Sequence, residues 1–150
     1  MSADQAARVT VTDSQLALMR ETARHGYPEE VCGILVGRSA ATGGYEVVRV
    51  VATANAMEEN RRTRYVVPPA DLLREQRQAR DDGMEMIGFF HSHPDHAARP
   101  SEHDREMAWP WYAYIIVSVT DGRATDVAAW RLAADRSRFE PLDLNVVSGE

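Results

Sequence analysis

The sequence predicts an α/β fold in which a mixed central β-sheet is flanked by α-helices. Apolar runs of strand length are mixed along the chain with segments of helical periodicity, a combination typical of such a sheet. The 150 residues and the 44% hydrophobic content are enough for one domain with a single core. Because neither an internal repeat nor a linker is found, we expect one domain over 1–150, with its core at about 9–147.

Turn and cap signals divide the first half of the chain into elements. In order, these are a disordered lead at 1–8, a short edge strand at 9–11, a helix at 14–25, a central strand at 31–36, a strand at 45–52 that forms a hairpin with it, a solvated loop at 55–64, a short strand at 65–67 and a helix at 70–82. Thr12 or Asp13 can cap the first helix, and Gly26 and Gly83 end the two helices. The run at 31–36 is expected to be central because it is continuously apolar.

The second half of the chain is predicted to hold four strands and one helix. In order, these are a strand at 84–90 that leads into two histidines, a helix at 101–108, strands at 112–119 and 125–132, and a last edge strand at 139–147. Asp121-Gly122 is a hairpin signal. Trp109 and Trp111 suit either a core corner or a wall of a substrate cleft, and we expect the core, because large aromatic side chains usually serve packing.

The stretch 88–104, GFFHSHPDHAARPSEHD, carries the candidate chemistry. Side chains two apart on a strand point to the same face, so His91 and His93 can reach one ion while Ser92 faces the other way. The loop that follows can return Asp104 as a third ligand. Three protein ligands leave the fourth tetrahedral position for water, which is the arrangement of catalytic zinc sites.

Each fragment of this stretch also has a structural interpretation. Histidines at i and i+2 can simply line a strand, and Ser101-x-x-Asp104 after a proline predicts a capping box at the start of a helix. We expect the capping box as well, with Ser101 near the helix N-terminus and Asp104 in the first turn. The two fragments together, in this order and with these gaps, favour a metal site.

The pattern His91-Ser92-His93, seven residues, then Ser101-x-x-Asp104 resembles the JAMM signature of the MPN-domain (Mov34/PAD-1-like) zinc metalloproteases. The upstream run PEEVCG at 28–33 resembles the P-x-E-x-C-G context of the family glutamate, which it aligns with Glu30 rather than Glu29. The likeness covers 27–119 and is similar to the short bacterial branch. Members of that branch process the C-termini of small ubiquitin-like sulfur carrier proteins.

The resemblance implies a single MPN (JAB-like) domain of cytidine-deaminase-like architecture and a set of residue roles. His91, His93 and Asp104 would hold one Zn²⁺ per chain. Glu30 would hold the attacking water and then protonate the leaving amine, and Ser101 would donate a hydrogen bond to the oxyanion. The implied reaction is hydrolysis of an amide bond at the C-terminal Gly-Gly tail of a ubiquitin-like carrier. A chain of 150 residues has little room for the insertions with which larger relatives hold polyubiquitin.

Composition limits the partners and the compartment. A net charge of -6 argues against a nucleic-acid partner, which a basic protein would favour. One cysteine rules out an intramolecular disulfide and excludes the P-C-x-x-C set of zinc deaminases. We see no secretory signal at the N-terminus, and the apolar run at 112–119 is too short for a membrane span. We therefore expect a cytoplasmic protein without membrane contact; the oligomeric state is left open.

Several residues and two other functions stay open at this point. His96 and His103 are metal ligands by type, yet we expect both to be exposed, and we expect Cys32 to be a buried structural thiol. The arginine-rich loop at 61–64 is interpreted as solvated, with a grip on an acidic partner as the alternative. A non-catalytic MPN scaffold keeps the fold and loses the metal ligands. A zinc amidohydrolase acting on a small molecule or another peptide would keep them.

Overall fold

A computed structural model of the chain describes residues 8–40 and 43–150. Within these residues the elements are β1 (Arg8–Thr12), α1 (Asp13–Gly26), β2 (Cys32–Ser39), β3 (Tyr45–Thr53), α2 (Pro69–Asp81), β4 (Glu85–Pro94), α3 (Glu102–Met107), β5 (Ala113–Thr120), β6 (Arg123–Leu132) and β7 (Phe139–Val147). The disordered lead expected at 1–8 lies, apart from Arg8, outside the described residues. The predicted mixture of strands and helices is confirmed.

The strands form one mixed sheet in the order β1-β3-β2-β4-β5-β6-β7, which closes into a barrel. β4 and β5 run parallel, and β1 runs parallel to both of its neighbours. The remaining neighbours are antiparallel. The predicted hairpin of β2 with β3 is confirmed, as is the central position of β2, which lies between β3 and β4.

The prediction that 9–11 and 139–147 are edge strands is wrong. These two segments pair with each other in parallel, from Arg8 opposite Asp143 to Thr12 opposite Val147. The pairing closes the ring of strands and so protects backbone groups that an edge would expose. Burial alternates along β1 and does not alternate along β7, and nothing local in either one specifies a partner at the far end of the chain.

The first helix is attached to the sheet through its own cap. The Thr12 hydroxyl oxygen accepts from the Gln15 N–H at 3.0 Å, and the Gln15 side-chain oxygen accepts from the Thr12 N–H at 2.9 Å, a complete capping box. Gln15 is buried and also donates from Nε2 to the Val47 carbonyl oxygen at 3.1 Å. Of the two cap residues that the sequence allowed, Thr12 and Asp13, the structure uses Thr12, and this cap also sets the position of α1 against β3.

Two apolar clusters hold the helices against the sheet. The larger one includes Met19 of α1 together with Leu35 and Phe90 of the sheet. The smaller one includes Ala79 of α2 and Ile34 of β2. Neighbouring residues of β2 thus enter opposite clusters, which is why the sequence of this strand is continuously apolar. None of the helices within 8–40 and 43–150 has the length and apolar character needed to cross a membrane.

Glycine residues are required at two places in the sheet, where β4 approaches β5 and in the turn between β5 and β6. A Cβ on Gly88 would lie 1.9 Å from the Ala113 carbonyl oxygen, so only glycine lets β4 approach β5 this closely. Asp121 and Gly122 both have positive φ, 50° and 78°, as a type I′ hairpin requires. The predicted turn between β5 and β6 is confirmed.

The short strand predicted at 65–67 is wrong. Ala56 N–H donates to the Val66 carbonyl oxygen at 2.8 Å, and the Val66 N–H donates to the Asn55 side-chain oxygen at 3.1 Å. The Asn55 side chain thus accepts a hydrogen bond that the backbone of a neighbouring strand would accept in a sheet. The segment is held firmly by these bonds, yet no ladder forms.

Trp109 and Trp111 do not lie in the core, contrary to the prediction. They are 50% and 61% exposed and stack on each other with ring centroids 5.3 Å apart. The Arg136 guanidinium covers the Trp109 ring at 5.4 Å. Neither tryptophan is among the described residues that line the cavity beside His93. The two tryptophans thus pack against each other at the surface, and Arg136 packs on one of them.

Candidate metal centre

β4 carries the two histidines into the interior of the protein. His91 and His93 lie opposite Ile116 and Ser118 of the parallel strand β5, and both side chains are buried. Ser92 faces the other way, as predicted, and its hydroxyl oxygen accepts from the Val31 N–H at 2.8 Å. That bond holds Val31, the residue before β2, beside the strand that carries the histidines. Glu30 directly precedes Val31 in the chain.

Asp104 reaches the histidines from the first turn of α3. The Ser101 hydroxyl oxygen accepts from the Asp104 N–H at 3.0 Å, and Asp104 Oδ2 accepts from the Ser101 N–H at 2.9 Å. This is the predicted capping box, and it is confirmed. The same carboxylate oxygen that closes the cap also faces the imidazoles, so the cap fixes its direction.

Three donor atoms converge at this point. His91 Nε2 and His93 Nε2 are 3.2 Å apart, and they lie 3.4 Å and 3.0 Å from Asp104 Oδ2. Tetrahedral zinc with ligand bonds of roughly 2.05 Å separates its ligand atoms by about 3.3 Å. Of the described His, Cys, Asp and Glu side chains, this trio forms the cluster suited to an ion. The spacing and the donor types fit a zinc ion.

The two imidazoles are held in different ways. His93 Nδ1 lies 2.9 Å from the Ala97 carbonyl oxygen. Because a carbonyl only accepts, Nδ1 carries the proton, and the lone pair of the neutral ring is on Nε2, where a metal needs it. His91 Nδ1 is buried and has no hydrogen-bond partner among the described residues.

The electrostatics of the trio favour an ionised carboxylate. Burial opposes ionisation of Asp104, yet the hydrogen bonds of His91 and His93 outweigh it and hold the Asp104 pKa well below its usual value. Burial lowers the pKa of His91, because a charged ring would be cut off from water. Burial opposes protonation of His93, yet its hydrogen bonds with Asp104 and the Ala97 carbonyl raise the His93 pKa. A divalent metal ion requires both imidazoles neutral and the aspartate ionised, so metal binding would displace a proton from His93 where that ring is charged.

Glu30 is the candidate for the catalytic base, because it is a buried carboxyl group outside the donor trio. It is 5% exposed, and its Oε1 atom has no hydrogen-bond partner among the described residues. Burial raises the pKa of Glu30 to about 8, with His93 lowering it and Asp104 raising it. Glu29, in contrast, is exposed.

Glu30 and His93 of the metal trio line one cavity. The cavity has a volume of about 290 Å³ and is lined by Glu30, Thr63, His93, His96, Ala97, Arg99 and Ser101. The predicted base and the predicted oxyanion donor therefore lie on the same open space as a metal-ligand candidate. This space has room for a short extended stretch of polypeptide.

The remaining histidines, the cysteine and the arginine-rich loop lie outside the donor trio. His96 is exposed, as expected, on the rim of the cavity, whereas His103 is half-buried rather than exposed and lies outside the donor trio. Cys32 is buried, and its thiol lies 3.4 Å from both Thr53 Oγ1 and the Ala54 carbonyl oxygen. Arg61, Arg62 and Arg64 are exposed, as the solvated-loop interpretation predicts.

Asn55 and Tyr65 belong to the site and were not singled out by the sequence. Asn55 Nδ2 donates to the Glu30 carbonyl oxygen at 3.1 Å, while the Glu30 N–H donates to the Arg61 carbonyl oxygen at 2.6 Å. The Tyr65 ring stacks on His91. A lone asparagine in a polar loop and a tyrosine near a proline pair are common, so neither had a signal that distinguished it.

The raised pKa of Glu30 predicts a pH-dependent stability effect in chelator-treated protein. The ordinary pKa is 4.5 and the folded value is about 8, so the folded state holds a proton that the unfolded chain releases. The stabilising effect is complete below pH 4.5 and is lost as the pH rises through about 8. Glu30→Gln, which never ionises, should therefore match the wild type at pH 4.5 and melt several degrees higher at pH 9.

Thermal melts of the two proteins across this pH range measure the effect. Glu29→Gln is the matched control, since it removes the neighbouring exposed carboxylate. Its melting temperature should follow that of the wild type at every pH. A stability difference between Glu30→Gln and the wild type that does not change with pH would contradict the buried, proton-holding state.

Residues 12–133 of the chain match a family model described as prokaryotic homologues of the JAB domain. A desampylase from Haloferax volcanii is 38% identical over 117 residues, which are 75% of this chain and 78% of the relative. A CysO-cysteine peptidase from Mycobacterium tuberculosis is 28% identical over 123 residues, 81% of each chain. A probable TtuB-protein conjugate cleaving protease from Thermus thermophilus is 31% identical over 108 residues, 70% of this chain and 68% of the relative.

Solved structures share the fold. A solution structure of a protein from Desulfitobacterium hafniense aligns with a TM-score of 0.79 and 27% identity over 94% of both chains. A JAB1/MPN domain protein from Archaeoglobus fulgidus aligns with a TM-score of 0.57 and 20% identity, covering 94% of this chain and 99% of that one. The second likeness shows the fold alone, and it agrees with the MPN (JAB-like) architecture expected from the sequence.

Proposed function

The chain belongs to the prokaryotic homologues of the JAB domain, within the JAMM/MPN metallopeptidases, and from this we propose that it hydrolyses the amide bond after the C-terminal Gly-Gly of a small ubiquitin-like sulfur carrier protein. One observation carries the proposal. His93, one of the three metal-donor residues, lines the same cavity as Glu30, a buried carboxyl group whose Oε1 atom has no hydrogen-bond partner among the described residues. Two relatives are named for the carrier or conjugate they act on, CysO-cysteine and TtuB-protein conjugates.

We assign His91, His93 and Asp104 as the ligands of one Zn²⁺ per chain. Two nitrogens and one oxygen at tetrahedral spacing suit zinc and leave one position open. When bound there, zinc would polarise the scissile carbonyl and lower the pKa of a coordinated water to about 7. Asp104 contributes the negative charge of the set, and Ala97 keeps the His93 lone pair available.

Glu30 is the proposed general base and acid. Its free Oε1 atom takes a proton from the attacking water as the water oxygen bonds to the carbonyl carbon. The carbon–nitrogen bond then breaks, and Glu30 passes the same proton to the leaving amine. Its burial suits both tasks, because a raised pKa makes the carboxylate a stronger base and keeps the proton until the amine needs it.

Ser101 is the proposed donor to the oxyanion. Its hydroxyl oxygen already accepts from the Asp104 N–H at 3.0 Å, so its hydrogen is free to point into the cavity. A preorganised donor of this kind is worth ~2.7–4 kcal/mol of transition-state stabilisation in other hydrolases. The capping box fixes the serine, which means that the donor does not have to reorganise during the reaction.

The size of the cavity and the names of the relatives support the proposed substrate class. A volume of about 290 Å³ admits a narrow segment of chain, and a Gly-Gly pair lets the backbone pass close to a crowded centre. The donor trio and the family do not favour the scaffold alternative. The single-domain organisation over 1–150, the cytoplasmic address and the absence of nucleic-acid and membrane partners stay proposals based on the composition.

Cleavage of a carrier with a lengthened tail tests the proposal. A ubiquitin-like sulfur carrier that carries a few extra residues after Gly-Gly should be converted to one ending at Gly-Gly, as measured by intact mass. Replacing the final glycine with valine should lower turnover sharply, because its side chain would meet the walls of the cavity. The unmodified carrier, which has no bond after Gly-Gly, is the control.

Two outcomes would overturn the carrier assignment. Equal cleavage of unrelated unfolded peptides would show a general peptidase. Hydrolysis of a small-molecule amide with no activity on any carrier would show an amidohydrolase, and the metal chemistry would stand in both cases.

A further inference from the structure

The two histidines of the trio differ in how their rings are oriented. A metal-bound imidazole usually donates its second N–H to a carbonyl or a carboxylate, which fixes the plane of the ring. His93 has this support in the bond from Nδ1 to the Ala97 carbonyl oxygen, at 2.9 Å. His91 has none among the described residues, although its Nδ1 atom is buried and its side chain is only 1% exposed. Something else must hold the His91 ring.

Tyr65 covers the face of the His91 ring. The two ring centroids are 4.4 Å apart and the planes are tilted by 22°, which is a stacked contact. The His93 ring lies 5.0 Å away at 57°, so it does not clamp His91 from the other side in the same manner. Rotation of the His91 ring about its Cβ–Cγ bond would break the stack with Tyr65 and turn Nε2 away from Asp104.

Tyr65 is itself fixed on both sides by Asn55. Asn55 Nδ2 donates to the Arg64 carbonyl oxygen at 3.0 Å, and Asn55 Oδ1 accepts from the Val66 N–H at 3.1 Å. The residues before and after Tyr65 are thus bonded to a single side chain. The same Nδ2 atom donates to the Glu30 carbonyl oxygen at 3.1 Å, so Tyr65 and Glu30 are anchored to one residue.

We propose that Tyr65 is a positioning residue whose ring, held by Asn55, orients His91 for the metal ion in place of the missing hydrogen bond on Nδ1. The loop between β3 and α2, which is outside the metal motif, therefore serves the metal centre. The proposal rests on the proposed function, because it takes the donor trio as a zinc site. The face of the Tyr65 ring, and not its hydroxyl group, orients His91, since the contact is between two ring planes.

Zinc affinity of two Tyr65 variants tests the proposal. Tyr65→Leu should bind zinc about 10–100-fold more weakly in chelator competition, the range found when a supporting contact of a metal-bound histidine is removed. Tyr65→Phe keeps the stacked face and should stay within about 3-fold of the wild type. In cobalt-substituted protein, the visible absorption bands should shift in Tyr65→Leu and stay unchanged in Tyr65→Phe.

A matched control separates orientation of His91 from softening of the core. Leu72 is half-buried in the same apolar cluster as Tyr65. Leu72→Ala should lower the melting temperature of the metal-free protein without changing the zinc affinity or the cobalt spectrum. Equal loss of affinity in Leu72→Ala and Tyr65→Leu would overturn the proposal, as would unchanged affinity and spectrum in Tyr65→Leu. Failure of the wild type to bind zinc would overturn the proposed function instead.

Discussion

Glu30→Gln is expected to abolish carrier cleavage and to leave the zinc content unchanged. The amide is close in size to the carboxyl group and cannot accept the proton of the attacking water. Proton transfer by a positioned side chain contributes roughly 10²–10⁴-fold to the rate, so turnover should fall by at least about 100-fold. Because Glu30 lies outside the donor trio, elemental analysis should still find about one zinc per chain.

Glu29→Gln is the control for this experiment. Its carboxylate is exposed, and Glu29 directly precedes Glu30 in the chain, so the substitution is made in the same segment. Single-turnover cleavage of the lengthened carrier, measured by intact mass, should show wild-type rates for this variant. Activity lost in Glu29→Gln and kept in Glu30→Gln would reverse the assignment of the pair.

The placement of the candidate site residues was largely predictable because it depends on short-range patterns. Strand alternation alone puts His91 and His93 on one face, and the capping box alone puts Asp104 in the first turn of a helix. The choice of Glu30 over Glu29 depended on the resemblance. The structure supplies the reason for that choice in physical terms, since one carboxyl group is buried on the cavity and the other is in solvent.

What the sequence did not predict depends on contacts between distant segments. The pairing of β1 with β7 and the anchoring of 65–67 by Asn55 both require knowledge of which segments meet in space. Asn55 makes hydrogen bonds to four backbone groups, yet an asparagine in a polar loop is the usual composition of a turn. The Trp109–Trp111 error has a different origin, because these two rings are only two residues apart and stack on each other at the surface.

Asp104→Ala is expected to remove both the metal and the activity. The carboxylate is the only charged donor of the trio, and Oδ2 lies within 3.4 Å of both histidine Nε2 atoms. Two neutral imidazoles without it form a weak site, so elemental analysis of the purified variant should find little zinc. Cleavage of the lengthened carrier should fall to background. His91→Ala should show the same joint loss.

The expected loss of metal must be separated from a loss of fold, since Asp104 is also part of the cap of α3. The Ser101 N–H loses its acceptor in Asp104→Ala, and capping interactions of this kind are worth roughly 0.5–2 kcal/mol. That cost is too small to unfold a domain of ordinary stability. Asp104→Asn retains a capping oxygen and removes only the charge, so it should keep more of the stability and still bind zinc poorly.

Glu102→Ala is the matched control, because it removes an exposed acid from the same first turn of α3. Its carboxylate pairs with Arg105 at the surface and takes no part in the donor trio. Zinc content and cleavage should therefore stay at wild-type levels, with at most a small change in melting temperature. A folded Asp104→Ala protein that still holds one zinc per chain would show that the metal lies elsewhere. Zinc loss in Glu102→Ala to the same extent would show that the helix, and not the Asp104 oxygen, secures the ion.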